Sequence, residues 1–271
     1  MLYKYLPSER VDILEKLKIR FSPLPSLNDP FESLPLIENS KEKNEVISSA
    51  FSELEEIWRS TDENLKNEEN RKLLEETKND ITCYAEKITS NTVGQGLMSL
   101  LSDNFGVLCL SRTEKNLLMW AHYAEEGRGI VIGLDDAHVF FREKDMQGND
   151  TRPVPVAYSQ KRRRVLVGEE RFYEKLLCEK PFDWAYEEEE RLFRFFLSKD
   201  GVIGKDVYNQ DIVLSELPRE TIKSVFLGYR SSDLTEHRAI EAVKNNKIDC
   251  KIYRSYMCSS EYILKFDEVK L

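Results

Sequence analysis

A chain of 271 residues, 41% of them hydrophobic and 33% charged, is long enough to bury a sizeable core beneath a polar surface. Its net charge of −9 excludes a general nucleic-acid-coating role, because binding along a phosphate backbone needs a basic field.

The chain opens on "LYKYL", residues 2–6, which alternates as a strand does, with no basic leader before it. No stretch approaches the ~18 apolar residues of a membrane span, so neither a signal peptide nor a membrane partner is expected. Pro7-Ser8 opens a helix to Leu17, with Val11, Leu14 and Leu17 at helical spacing. "KIRFS" alternates again, and "PLPSLNDPFE" is a proline-punctuated loop. From about residue 40 to 102 two apolar stripes follow, Ile47 to Trp58 and Leu73 to Ile88, separated by "STDENLKNEENR". They predict an acidic helical hairpin inserted in a single domain spanning 1–271.

Beyond Asn104 short apolar runs predominate. "GVLCLS", "GIVIGL", "VPVAYS", "ERLFRFFLS", "DIVLSEL", "IKSVFLG", "CKIYRS" and "YILKF" each predict a strand. Helices are expected in "EKNLLMWAHYAEEG", residues 114–127 and ended by Gly127, after the basic "KRRR" at 161–164, and from Leu234 to Asn246. Strands and helices in no regular βαβ order predict an α+β fold: a mostly antiparallel sheet, flanking helices and the inserted hairpin.

Cys83, Cys109, Cys178, Cys250 and Cys258 form no C-x-x-C pair, so no disulfide framework and no zinc signature is expected. Cytoplasmic localisation follows as an expectation. With three histidines in the chain, a two- or three-histidine metal site is not expected either.

Four stretches could carry chemistry. In "WAYEEEERLFRF", residues 184–195, a strand would put Glu187, Glu189 and Arg191 on one face, and Arg191 would keep Glu189 ionised. An anion held beside aromatic rings suits an oxocarbenium-like centre. The alternative is a wet helical face with a Glu187–Arg191 i,i+4 pair. In "LLMWAHYAEEGRG" His122 stands between Trp120 and Tyr123, either as an acid–base group or as a packed ring. Gly127-Arg128-Gly129 is too short for a dinucleotide fingerprint and predicts a turn. In "SLNDPFE" Asn28, Asp29 and Glu32 form either an Asx-type turn or the rim of a pocket. Lys161, Arg162, Arg163 and Arg164 form either a solvated face or a phosphate contact for a nucleotide or nucleic acid.

"LYKYL", "LKIRFSPLPSLNDPFE" at 17–32, "LMWAHYAEEGRGIVIGLD" at 118–135 and "WAYEEEERLFRF" together resemble the chiefly bacterial family called domain of unknown function 2971. That resemblance supplies no activity. It groups Asn28, Asp29, Glu32, Trp120, His122, Tyr123, Glu187, Glu189 and Arg191 as parts of one site. The order "LYKYL", helix, "KIRFS", then "YEEEERLFRF" is also similar to ADP-ribosyltransferases. That likeness implies NAD as substrate and a toxin or defence role, with Glu189 at the ribosyl cation and Glu187 or His122 assisting the acceptor. Tyr3, Lys4 or Tyr5 would stand where that fold anchors NAD, and Tyr5, Trp120 or Tyr123 would stack on nicotinamide. Two other readings remain open: a non-enzymatic nucleotide-, nucleic-acid- or protein-binding module, and a hydrolase or nuclease holding a divalent ion on the carboxylates.

Overall fold

A computed structural model describes residues 1–31, 36–38, 43–61, 63–87, 105–142, 152–166, 171–195 and 202–270. The chain divides into two compact units. The first comprises Met1–Ser33, Leu100–Arg162 and Leu177–Leu271; the second comprises Leu34–Ser99 and Arg163–Leu176.

The first unit is built on an eight-stranded sheet. Its strands are β1 (Leu2–Leu6), β4 (Phe105–Ser111), β5 (Ile130–Leu134), β6 (Val154–Pro155), β10 (Glu189–Phe195), β13 (Ile222–Leu227), β14 (Lys251–Met257) and β15 (Leu264–Val269). They lie in the order β15-β14-β13-β5-β1-β4-β10-β6. β13 and β14 run parallel, joined through helix α6 (Asp233–Asn245), and every other neighbouring pair is antiparallel. A second sheet joins β2 (Lys18–Arg20), β11 (Val202–Lys205) and β12 (Asp211–Glu216), and a short parallel pair joins β7 (Ala157–Ser159) to β9 (Glu179–Pro181). The fold is α+β with a mostly antiparallel sheet.

Strand alternation sorts the core into two layers. Leu2 and Leu6 of β1 join Ile130, Ile132 and Leu134 of β5 and Val225 and Leu227 of β13 on one face. There they pack with Ile13 and Leu14 of α1 (Asp12–Lys16) and Ala239, Ala242 and Val243 of α6. Tyr5, Val131 and Phe226 face the other way, under Met119 and Trp120 of α4 (Leu117–Tyr123). Ser232 caps α6 by accepting from Thr235 N, and Asn116 caps α4 by accepting from Leu118 N and Met119 N.

The second unit holds α2 (Lys43–Ser60) and α3 (Glu68–Lys87), which pack on one another, α5 (Phe172–Leu177, all but its last residue) and a parallel pair of β3 (Ile37–Glu38) with β8 (Val165–Leu166). The two apolar stripes from Ile47 and Leu73 thus fall on helices. Residues 40–42, 62 and 88–102 of the expected hairpin region, with the second stripe's last residue Ile88, lie outside the described residues.

Local differences from expectation have physical causes. The helix from Ser8 is a 3-10 turn, Ser8–Val11, followed by α1, which stops where Leu17 turns left-handed at φ 53°. "VPVAYS" is broken at Val156 into β6 and β7, because Val156 N turns to Glu189 O while Ala157 N pairs with Cys178 O. Gly127, at φ 83°, and Gly129, where a Cβ would meet Leu6 O, make the turn expected before β5.

Candidate functional site

The glutamate run is neither a continuous strand nor a surface helix. Residues Phe182–Glu187 form a 3-10 helix, Glu188 turns left-handed at φ 44°, and β10 begins at Glu189. The break decides which carboxylates face inward. Glu187 and Glu189 are 3% and 5% exposed, whereas Glu188 lies in solvent and Glu190 pairs at the surface with Arg112.

Lys180 joins the two buried carboxylates. Its Nζ lies 2.7 Å from Glu187 Oε2 and 2.8 Å from Glu189 Oε2. Arg191, two residues along the same face of β10, grips Glu189 in a fork, with Nε to Oε1 at 3.0 Å and Nη2 to Oε2 at 3.0 Å. Arg191 Nη1 donates to Leu177 O, which fixes the guanidinium in the core. The Tyr123 hydroxyl donates to Glu187 Oε1, and the Tyr158 hydroxyl accepts from Glu189 N at 2.8 Å.

These neighbours drive the carboxylates in opposite directions. Burial raises the pKa of Glu187 and outweighs the lowering by Lys180 and by the Tyr123 hydroxyl. Burial pushes Glu189 the same way, but the charges of Arg191 and then Lys180 overcome it and hold this carboxyl at about 2. One carboxyl is moved towards keeping its proton, and the other towards staying an anion.

Both line a cavity of about 180 Å³ in the first unit. It opens where the central ladder fails. β1 and β4 share one register pair, Tyr3 opposite Ser111, and Lys4 and Tyr5 have no ladder partners on β4. Lys4 Nζ bridges to Cys109 O at 2.9 Å instead. Tyr3, Lys4 and Tyr5 form one wall, Cys109, Leu110 and Ser111 another, and Met119 and Tyr123 of α4 a third. Ser22, Ser26, Leu27 and Asn28 line it from the segment after β2. Burial and the Glu114 carboxylate push the Tyr3 phenol up to about 12, and burial raises the Tyr5 and Tyr123 phenols further, so the rings are neutral hydrogen-bonding walls.

The structure brings Tyr3, Lys4, Tyr5, Asn28, Tyr123, Glu187 and Glu189 together in this lining. Arg191 lies behind Glu189 and acts on the cavity through it. Trp120 does not reach the cavity. It is fully buried behind Tyr5, ring centroids 5.6 Å apart, and its Nε1 donates to Glu114 O. His122 is exposed, and its Nδ1 meets the Tyr186 hydroxyl at 2.9 Å, outside the lining. Asp29 is buried as a turn-maker, its Oδ1 accepting from Phe31 N, and it too is absent from the lining. Glu32 lies outside the described residues. Lys161, Arg162, Arg163 and Arg164 are exposed, with Arg162 over the Phe31 ring. Sequence reasoning missed Lys180, together with the wall residues Ser22, Ser26, Leu27, Cys109, Leu110, Ser111 and Met119.

Fold and site define an α+β protein with a small, ring-walled cavity whose inner end is a buried network of lysine, arginine and paired glutamates. Residues 119–192 match the family model described as "Protein of unknown function (DUF2971)". The match takes in α4 from Met119 onward, Lys180 and the glutamate run, whereas "LYKYL" and "NDPFE" precede it. No curated protein and no solved structure matches the chain. Among the described residues no group of three or more histidine, cysteine, aspartate or glutamate side chains is placed to hold a metal ion. No helix there is long and apolar enough to cross a membrane.

Proposed function

We propose that the cavity is an active site for glycosyl transfer from NAD, an ADP-ribosyltransferase-like reaction. The observation that carries this reading is the pair of buried carboxylates bridged by one ammonium, with proton affinities moved in opposite directions. Such a divergence is how a single site provides both an acid–base group and a permanent anion. When nicotinamide leaves, positive charge develops on the ribose, and Glu189 supplies the fixed negative charge that favours it. Glu187 exchanges the proton of the incoming acceptor hydroxyl or water, and Tyr123 orients it. Tyr3, Tyr5 and Tyr123 supply flat apolar walls for the nicotinamide ring.

The dimensions support entry of one end of the dinucleotide. Ligand pockets that enclose a drug-sized molecule run to roughly 300–1,000 Å³. A cavity of about 180 Å³ takes a ring and its sugar and leaves the remainder at the mouth. The Lys180 ammonium stands between the two carboxylates, where a divalent ion would need to sit, so the site gives no support to a metal-dependent hydrolase. The test is release of free nicotinamide from NAD, followed chromatographically, by the wild-type chain and by Glu189→Gln. Loss of one stabilising charge is expected to slow release by about 10²–10³-fold. Absence of both NAD binding and nicotinamide release with every acceptor tried would end this proposal.

One observation favours a second reading. Both oxygens of Glu189 are satisfied by Arg191 and Lys180, as in a structural ion network. In that case the cavity binds its ligand without turnover. A folded Glu189→Gln chain would then bind as the wild type does, whereas charge reversal at Lys161, Arg162 and Arg163 would remove any nucleic-acid or protein partner.

A further inference from the structure

The charged groups around the cavity do not balance. Lys4, Lys180 and Arg191 face two carboxylates, Glu187 and Glu189, and both carboxylates are taken up by Lys180 and Arg191. Lys4 has no carboxylate within salt-bridge reach among the described residues. Its ammonium makes one hydrogen bond, to Cys109 O at 2.9 Å, from a group with three donors. Lys4 is half-buried at the cavity wall, and an ammonium there without a salt-bridge partner is only partly compensated, so an anion entering the cavity would complete its pairing. Hydroxyl and amide donors line the same cavity at Ser22, Ser111 and Asn28. Arg20 on β2 also acts on Lys4, but its charge is already paired with Asp206 at 2.6 Å, and only its buried Nε has no partner among the described residues.

We propose that this part of the cavity is an oxyanion subsite, in which the ammonium of Lys4 pairs with a carboxylate or phosphate group of the ligand. The subsite does not rest on NAD turnover: it concerns binding alone and stands or falls separately. The cavity volume of about 180 Å³ limits the anion to a small group or the end of a larger ligand. Burial lowers the pKa of Lys4, and a bound anion would oppose that shift. The charges acting on Lys4 are Glu189 of β10, which favours its proton, and Arg10 of the turn before α1 and Arg20 of β2, which oppose it; burial raises the pKa of the Cys109 thiol, which stays uncharged. A bound anion would act in the same sense as Glu189.

The full chain would be titrated calorimetrically with inorganic phosphate and, separately, with acetate, at constant ionic strength set with chloride. The wild type and Lys4→Gln would be compared. One-to-one binding of at least one anion is expected, with about ten-fold or greater weakening in Lys4→Gln, the loss typical of a charge-assisted hydrogen bond. Saturation by phosphate alone assigns a phosphoryl-bearing ligand, by acetate alone a carboxylate, and by both an unselective oxyanion site. No binding of either anion above the chloride background, or equal affinity in a folded Lys4→Gln, overturns the proposal. Should Lys4→Gln fail to give a folded circular-dichroism spectrum, reductive methylation of the wild type decides. Modification of Lys4, read by peptide mass, is slowed several-fold by saturating anion if the subsite exists. An unchanged rate overturns it.

Discussion

The two units of the chain use the same side chains to opposite ends. In the second unit Lys78, itself 15% exposed, lies between Glu55 on α2 and Glu75 on its own helix, whose carboxylates are 41% and 62% exposed. Water screens those charges, and pairs of this kind contribute little to stability. In the first unit Lys180 lies between Glu187 and Glu189 with 6% exposure, and Arg191 backs the cluster at 1%. There each charge depends on the others, because none can turn to water. A lysine between two glutamates is thus surface decoration in one place and the inner end of a cavity in the other. Composition does not separate them; burial does.

The contrast breaks most visibly at Arg191. Arg191→Met should leave Glu189 with one cation and Leu177 O without its donor. It is expected to cost about 3–5 kcal/mol, measured by urea unfolding. A loss no larger than that of an exposed arginine would show that the cluster is hydrated after all.

Acid titration sharpens the comparison next. Glu189 has a folded pKa of about 2 against an ordinary 4.5. Its contribution is therefore present above pH 4.5 and is lost as the pH falls towards 2, on the order of 3 kcal/mol in all. Glu187 has the opposite sign. Its raised pKa contributes stability that is complete below the unfolded value and fades as pH rises through the folded one. Glu189→Gln should flatten the acid limb of the stability–pH curve. Glu187→Gln should leave that limb in place and be neutral or stabilising near pH 7.

A smaller effect is expected from Tyr123→Phe. It removes the hydroxyl that donates to Glu187 and costs about 1 kcal/mol. It should also raise the Glu187 pKa further, which carbon-detected NMR of the carboxyl would follow. In the second unit Lys78→Met and Glu55→Gln should give no measurable change in the unfolding midpoint. A clear shift there would remove the distinction between the two clusters.

Much of this fold was legible because its signals are local. Leu2 and Leu6 against Tyr3 and Tyr5 announced a strand with two different faces, and the stripes from Ile47 and Leu73 announced helices. Asn28, Tyr123, Glu187 and Glu189 were each marked by odd chemistry in a short window. Lys180 was not, because nothing in "CEKPFDW" distinguishes an exposed lysine from a buried one. Its place follows from the pairing of β9 with β7, residues far apart in sequence. Trp120 and His122 lie on the same short helix as Tyr123, and spacing alone did not say which of the three would reach the cavity.

By itself, the sequence determined the class of fold, most of the strands and helices, and the stretches of unusual chemistry, since hydrophobic period and turn residues act between neighbours in the chain. Only the tertiary structure decided that β1 and β4 part after one pair, that Glu188 turns left-handed between two inward glutamates, and that Lys180 stands between them. Those outcomes depend on strand register and burial, which arise when distant segments meet and water is excluded.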